Sequence, residues 1–519
     1  MAAHRSGRLS FSIKPPIAIA LVALADTFFF GGHVGSTIGI FALTLVAAVV
    51  SAHAGVRRDP RARVAVTLAA VTAAILFDAP SFQGWLLYWT ALTVAVLSPR
   101  AGPSLDALAW SRRLGHQALV GMIGPVRDGL RLRGRLGLPR GAVLRFLAIV
   151  TIPAIGGAVF LGLFASANPI IDQVVSGFRT PDFDISRVLF WLACLAGVWS
   201  FLRPGFLRRG QRTPAKSSDR PIPGISVASV GLSLGVFNAL FALQNGLDIA
   251  FLWSGAALPK GVTLAEYAHR GAYPLIATAL LADLFVMVAL RPGSATTRQP
   301  WLRGLVVLWV VQNVFLVASS ILRTLNYVEA YSLTRLRIAA LLWMGLVAVG
   351  LMLICWRLLR GKTSGWLINA NVLAAGLVFA GCSVVDLGGV AARWNVDHAR
   401  EVGGDGPPLD LCYLTSLSDS SIVVPLSDLE RRPLSPIFRD RVSWVRSVAL
   451  QDLNARQAQW RSWTWRDERR FERAKSLYPA QLPASVISVG VRNCDGRQEM
   501  LPQAVPSAAP VPLTLRPPS

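Results

Sequence analysis

Long apolar runs broken by short polar links dominate the first three quarters of the chain, and they set its class. A bilayer core about 30 Å thick needs roughly 17 to 25 mostly apolar helical residues, because lipid offers the backbone no hydrogen-bond partner. Eleven stretches approach that requirement: 16–30, 38–54, 64–78, 84–98, 143–165, 188–202, 225–243, 272–290, 305–322, 338–356 and 366–385. Apolar residues run continuously through each, without the alternation of a membrane β-barrel. The pattern predicts an all-α polytopic transmembrane helix bundle of about 11 spans. The first run follows a basic leader carrying Arg5, Arg8 and Lys14. It is read as an uncleaved helix, since Gly31-Gly32-His33 is a poor cleavage site and the next run begins within about eight residues.

Two segments break the pattern. Between 99 and 142, Leu105, Leu108, Leu114, Val120, Ile123, Val126 and Leu130 recur at helical spacing, with Arg112, Arg113, Arg127, Arg131, Arg133 and Arg135 on the polar side. This predicts one or two amphipathic helices on the inner leaflet, where anionic lipid attracts each basic residue by about 1 kcal/mol. A plain basic connector accounts for the same residues. After residue 385 the long runs stop, and 386–500 is read as a small, mixed but mainly helical external domain. Its 441–477 stretch reads as one helix, stopped by Pro479. Trp444, Trp460, Trp463 and Trp465 interleave there with Arg456, Arg461, Arg466, Arg469, Arg470 and Arg473. Asp467, Glu468 and Glu472 interrupt the basic run, so the stretch is read as amphipathic packing and not as a nucleic-acid surface. The Pro-rich 501–519 is read as a disordered tail.

Composition agrees with a membrane class: 53% of the residues are hydrophobic and 15% charged, with a mean hydropathy of +0.49. That excludes a disordered or collagen-like chain and a disulfide-dense miniprotein. The net charge of +24 is distributed unevenly, with +22 of it within residues 1–385. Under the positive-inside rule, the segments assigned to the cytoplasm hold 27 Lys and Arg against seven in the opposite loops, which sets the N-terminus inside. An odd number of spans then puts the C-terminal domain outside. Three cysteines (Cys194, Cys355 and Cys382) fall in the runs, whereas Cys412 and Cys494 fall in the external domain and are expected to pair.

Catalytic motifs are scarce. The chain holds no phosphate-binding Gly-rich loop, no His-Glu-x-x-His and no Cys-x-x-Cys, and its six histidines are scattered, so no metal or cofactor is expected. Gly231-Leu232-Ser233-Leu234-Gly235 matches a nucleophile elbow in letters only, inside an apolar run. Ionisable residues within spans are functional candidates because charge is costly there. They are Asp283, at the middle of its run, and Asp26, with Asn238, Gln312 and Asn313 as polar neighbours. Asp283 serves a transporter reading; interhelical hydrogen bonding is the structural alternative. A denser group lies between the ninth and tenth runs. If helical, Arg323, Tyr327, Tyr331 and Arg335 form one stripe, with Glu329 and Arg337 beside it, suited to an anionic ligand or to interfacial anchoring. Glu266 and Tyr267 in the preceding external loop, and Asp410 and Tyr413 beyond the last run, complete the candidate ligand or partner site.

At these residues the chain resembles an uncharacterised family of bacterial polytopic membrane proteins, known only as a domain of unknown function. The resemblance rests on Tyr327 through Arg337, Glu266-Tyr267-Ala268, the 237–244 stretch, Ala392-Arg393-Trp394-Asn395 and Leu409-Asp410-Leu411-Cys412-Tyr413-Leu414, and covers roughly 143–473. It implies a bacterial cytoplasmic (inner) membrane, so that the external C-terminal domain is periplasmic, and Gly where this chain has Ser332, and it brings no reaction, substrate or cofactor. The leading functional expectation is a non-enzymatic envelope sensor or assembly scaffold binding a ligand or protein partner at its external face. A secondary transporter or channel component using Asp283, and an envelope lipid or glycan enzyme using Glu266, Glu329 or Asp410, are the alternatives.

Overall fold

The structure, a computed structural model, describes residues 2–101, 106–135, 153, 156–157, 160, 184–205, 226–254, 299–417, 419–477 and 492–498. Among these, 16 α-helices follow in order. They are α1 (Ala2–Phe29), α2 (Thr37–Ala52), α3 (Ala54–Arg58), α4 (Pro60–Asp78), α5 (Phe82–Ala101), α6 (Ala107–Arg135), α7 (Ile185–Leu202) and α8 (Val227–Asp248). After a π-helical turn (Ile249–Trp253) come α9 (Pro300–Tyr331), α10 (Arg335–Arg360), α11 (Ser364–Val384), α12 (Leu387–His398), α13 (Leu411–Leu417), α14 (Asp419–Glu430), α15 (Pro436–Gln457) and α16 (Trp465–Leu477). Local chemistry sets many of the ends. Asp59 caps α4 ahead of Pro60, Ser226 and Ser229 form a capping box on α8, and left-handed Gly361 closes α10.

The expected count of about eleven spans is not what the structure holds. Six described helices are long and apolar enough to cross a membrane: α4, α7, α8 with its π turn, α9, α10 and α11. At 16 residues, α2 reaches only about 24 Å, short of the bilayer core. The apolar part of α5 is diluted by Gln83, Trp85, Tyr88 and Trp89. Helix α1 begins in the polar leader and carries Pro15 and Pro16. The runs at 143–165 and 272–290 fall largely or wholly outside the described residues. Several of the eleven apolar stretches are only about 15 residues long, too short for the bilayer core, and without an odd number of spans the charge pattern alone no longer puts the C-terminal region outside. The chain is a multi-pass membrane protein with a helical, extramembrane C-terminal region.

Two compact units divide the chain. The first comprises Met1–Ser218, Lys362–Ser383 and Trp460–Trp465. Its core packs Leu21 and Ala25 of α1, Phe41 and Leu45 of α2, Ala69, Ala73 and Leu76 of α4, Tyr88 and Leu92 of α5, and Phe201 and Leu202 of α7. Alanines at 62, 65, 69 and 73 give α4 a small-residue face for close helix approach. The buried Tyr88 hydroxyl is satisfied by donating to the Ala42 carbonyl at 2.8 Å.

The second unit comprises Asp219–Gly361, Val384–Gln459 and Arg466–Ser519. Its membrane part packs α8, α9 and α10 through Leu234, Leu302, Val306, Trp309, Val310, Met344 and Leu351. Its extramembrane part has a separate core, drawn from the end of α9 (Val328), Leu333, α12 (Ala391, Ala392, Val396), α13 (Leu411, Leu414), α14 (Ile422, Val423, Leu426) and α15 (Val442, Val445, Leu453). The stretch expected as one helix over 441–477 is two, α15 and α16, because the Trp-rich 460–465 segment leaves the helix and packs within the other unit.

Candidate functional site

Helices α8 and α9 run in the same direction and share a polar seam through their apolar packing. Asn238 Nδ2 donates to the Leu305 carbonyl at 3.1 Å, and Gln312 Nε2 donates to Asn238 Oδ1 at 3.2 Å. Two turns on, Asn245 Nδ2 donates to the Gln312 carbonyl at 3.1 Å. Next the carboxylate of Asp248 pairs with the Arg323 guanidinium and accepts from Gln244 Nε2 at 3.0 Å. The π turn begins directly after Asp248, and such turns often mark functional positions. It brings Trp253 Nε1 to Ser319 Oγ at 3.0 Å. Asp248 is 0% and Arg323 7% exposed, so two charges are held together inside membrane helices, where either alone would be strongly disfavoured. Asn313 is also fully buried, and its Nδ2 returns to the Trp309 carbonyl at 2.8 Å. The side-chain oxygens of Asn245, Gln312 and Asn313 are buried without a hydrogen-bond partner.

Helix α9 has 32 residues, or about 48 Å, so its last turns project beyond a 30 Å core. They lead to a turn that breaks the expected Arg323 to Arg335 stripe. Tyr327 and Tyr331 pack with ring centroids 4.7 Å apart, and Arg337, not Arg335, covers the Tyr327 ring at 4.4 Å. Arg337 Nη1 also donates to the Tyr331 carbonyl at 2.6 Å and to that of Ser332. Ser332 has φ 70°, a left-handed backbone that favours Gly, which accounts for the residue the family resemblance implied there. Asn395 of α12 then holds the next residue on both sides. Its Oδ1 accepts from Leu333 N at 2.6 Å, and its Nδ2 donates to the Leu333 carbonyl at 3.0 Å. The Tyr413 hydroxyl accepts from Arg335 N at 2.9 Å, while Thr334 caps α10.

Three separate stretches of the chain thus meet at one turn: 331–337, the Asn395 stretch and the Tyr413 stretch. Asp410 Oδ1 accepts from Tyr413 N at 2.9 Å, starting the helix that presents the phenol. Cys412, beside it, is joined by a disulfide to Cys494. Beyond the end of α11, Asp386 caps α12 through Gly389 N and pairs with Arg470. Burial works to raise the Asp386 carboxyl, but Arg470, the Gly389 N–H and Arg466 outweigh it and hold the group below its ordinary 3.8.

Other candidate residues stand apart. Glu329 is exposed, as is Arg335, whose backbone N–H nonetheless takes part in the turn. Asp26 lies in the first unit, bound by Arg187 at 3.0 and 2.5 Å and by Trp191 Nε1 at 2.8 Å. Asp283, Glu266 and Tyr267 lie outside the described residues. Sequence reasoning missed Asp248, Gln244 and Asn245, although Asn238, Asn245 and Asp248 fall on one helical face. Among the described residues no three His, Cys, Asp or Glu side chains gather in a metal-holding arrangement.

The first unit holds a second built contact. Ser36 N donates to the Trp463 carbonyl at 2.7 Å, Trp465 N donates to Ser36 Oγ at 3.2 Å, and Arg461 Nη1 donates to the Phe30 carbonyl at 3.0 Å. A side chain at Gly35 would collide with the Trp463 carbonyl. The 460–465 segment thus forms a strap, lined by the aromatic rings of Phe28 against Trp460 and Phe77 against Trp463.

A family model described as a domain of unknown function, DUF4153, matches residues 64–425. The match takes in the seam and the α9–α10 turn with both of its partners, whereas the strap and the Phe30–Ser36 loop that receives it lie outside. No curated protein and no solved structure matches the chain.

Proposed function

We propose, for a chain that belongs to the DUF4153 family of domains of unknown function, that it is a non-enzymatic envelope sensor or assembly scaffold. Its extramembrane helical region binds a ligand or protein partner and acts on the membrane helices through the α9–α10 turn. The observation that carries this reading is the reciprocal Asn395–Leu333 pairing: a side chain from the extramembrane core takes both polar groups of one backbone residue between two membrane helices. A partner that shifts α12 therefore acts directly on α9, which also bears the buried Arg323. The disulfide between Cys412 and Cys494 favours an oxidising compartment. We accordingly place the C-terminal region in the periplasm of a bacterial inner membrane, with the basic loops on the cytoplasmic side.

The test is complementation of a deletion strain with Asn395→Ala and Tyr413→Phe chains present in the membrane at wild-type level. Loss of the envelope phenotype's rescue supports the reading; full rescue by both variants refutes it. A second reading, a proton or cation translocator, is favoured by the unpartnered buried oxygens of Asn245, Gln312 and Asn313 on the two helices whose seam also holds the buried Asp248. It predicts ion flux in proteoliposomes that Asp248→Asn abolishes, and an absence of flux from the wild-type chain removes it.

A further inference from the structure

We propose that α6 is an interfacial helix that binds the headgroups of anionic phospholipids, with one face glued to the bundle and the other inserted among lipids. The inner face is polar and closely fitted. Gln117 Nε2 donates to the Ser200 carbonyl at 2.6 Å and its Oε1 accepts from Gly205 N at 3.1 Å. Asp128 accepts from Trp199 Nε1 at 3.1 Å and pairs with Arg203 at 3.4 Å. A Cβ on Gly121 would lie 2.6 Å from the Ser200 Cβ.

These contacts fix the direction of the helix. Gln117 to Asp128 spans about 16 Å of α6, yet the partners just named all lie within 199–205, at the very end of α7. Helix α6 therefore crosses the end of α7 and does not run alongside it. Basic groups mark that end: Lys14 Nζ donates to the Leu202 carbonyl at 2.8 Å, and Arg203 and Arg100 both act electrostatically on Lys14. A membrane span that ends in such a cluster ends at a headgroup layer.

The outer face has the composition that layer takes up. Leu119, Met122, Ile123 and Val126 share one side of α6 and are 60–72% exposed. The one acid in the helix, Asp128, is buried against α7. All the remaining formal charges of α6 are arginines: Arg112, Arg113, Arg127, Arg131, Arg133 and Arg135. An apolar strip on the same helix as the exposed Arg112 and the half-buried Arg127 fits acyl chains below and phosphates above.

The test uses the full chain in vesicles of phosphatidylcholine, with or without phosphatidylglycerol. A fluorophore is placed at Met122→Cys with Cys194, Cys355 and Cys382 replaced by Ala. Quenching by spin-labelled acyl chains but not by iodide is expected. In native mass spectrometry, phosphatidylglycerol is expected to be retained over phosphatidylcholine, and Arg112→Gln with Arg127→Gln to reduce that preference on the order of tenfold. An unchanged thermal unfolding midpoint separates this loss from misfolding. Quenching by iodide overturns the proposal. So does shielding from both quenchers with cross-linking to a second polypeptide, or equal retention of the two lipids.

Discussion

Cutting the Asp248–Arg323 pair on one side should be far more damaging than removing it altogether. Asp248 is fully buried and Arg323 nearly so, and Asp248→Asn leaves a guanidinium among membrane helices without its counter-charge. Loss of one partner of a buried pair costs about 3 to 5 kcal/mol, because the remaining charge stays desolvated. Asn at 248 can still accept from Gln244, so the charge itself accounts for most of the expected cost. Replacing both residues by apolar ones of similar volume, Asp248→Leu with Arg323→Met, should bring stability back to within about 1 kcal/mol of wild type. With Asp248→Leu and Arg323→Met as the two single changes, wild type, singles and double form a thermodynamic cycle with a coupling of about 3 kcal/mol or more, which is a factor of about 100 or more in the unfolding constant. Steric-trap unfolding in bicelles measures all four species. An Asp248→Asn chain within about 0.5 kcal/mol of wild type would show that Arg323 does not depend on its counter-charge, as would a double variant whose loss equals the sum of the singles.

Three further outcomes follow from the geometry. Ser332→Gly should raise stability by about 1 kcal/mol, because Ser at φ 70° bears a strain that Gly does not; a lowered thermal midpoint would count against it. Gly35→Ala should displace the Trp463 carbonyl and expose the 459–464 segment, read as faster limited proteolysis there; an unchanged cleavage pattern would contradict the close approach. The third concerns acid. The Asp386 carboxyl is held below its ordinary 3.8 in the folded chain, so the stability it adds is present above that pH and drains away as pH falls through the folded value. The difference between wild type and Asp386→Asn in chemical unfolding should therefore shrink on acidification below about pH 4; a difference constant from pH 7 to 3 would be the contrary result.

The long apolar helices were legible because α9, α10 and α11 are apolar over about a bilayer thickness, and no soluble alternative explains such runs. Shorter runs misled, since α2 and α5 are apolar for reasons of packing, through residues such as Phe41 and Leu92, at lengths or compositions that do not suffice for crossing. Ser332 was legible only through resemblance: a serine carries no mark of positive φ. Asp248 was hidden by its place near the end of an apolar run, where an acid reads as a boundary, and its partner stands 75 residues away. Arg323 looked like an interfacial arginine because helical spacing aligned it with Tyr327 and Tyr331. Only the packing of α8 against α9 shows that it turns inward. The strap was invisible for the same reason, as nothing local to Trp463 names Ser36.

The strap also sets a clock. Its bond from Trp465 to Ser36 joins residues 429 apart, and at roughly 5 to 20 residues per second the ribosome needs about 20 to 90 s to make the second after the first. Throughout that interval the loop before α2 lacks the carbonyl that takes its Ser36 amide and the rings that cover Phe28 and Phe77. A chain that stalls or is clipped before Trp460 keeps the loop open indefinitely. Completed and aborted copies thus differ at a site near the first residues made, where a protease or chaperone can tell one from the other.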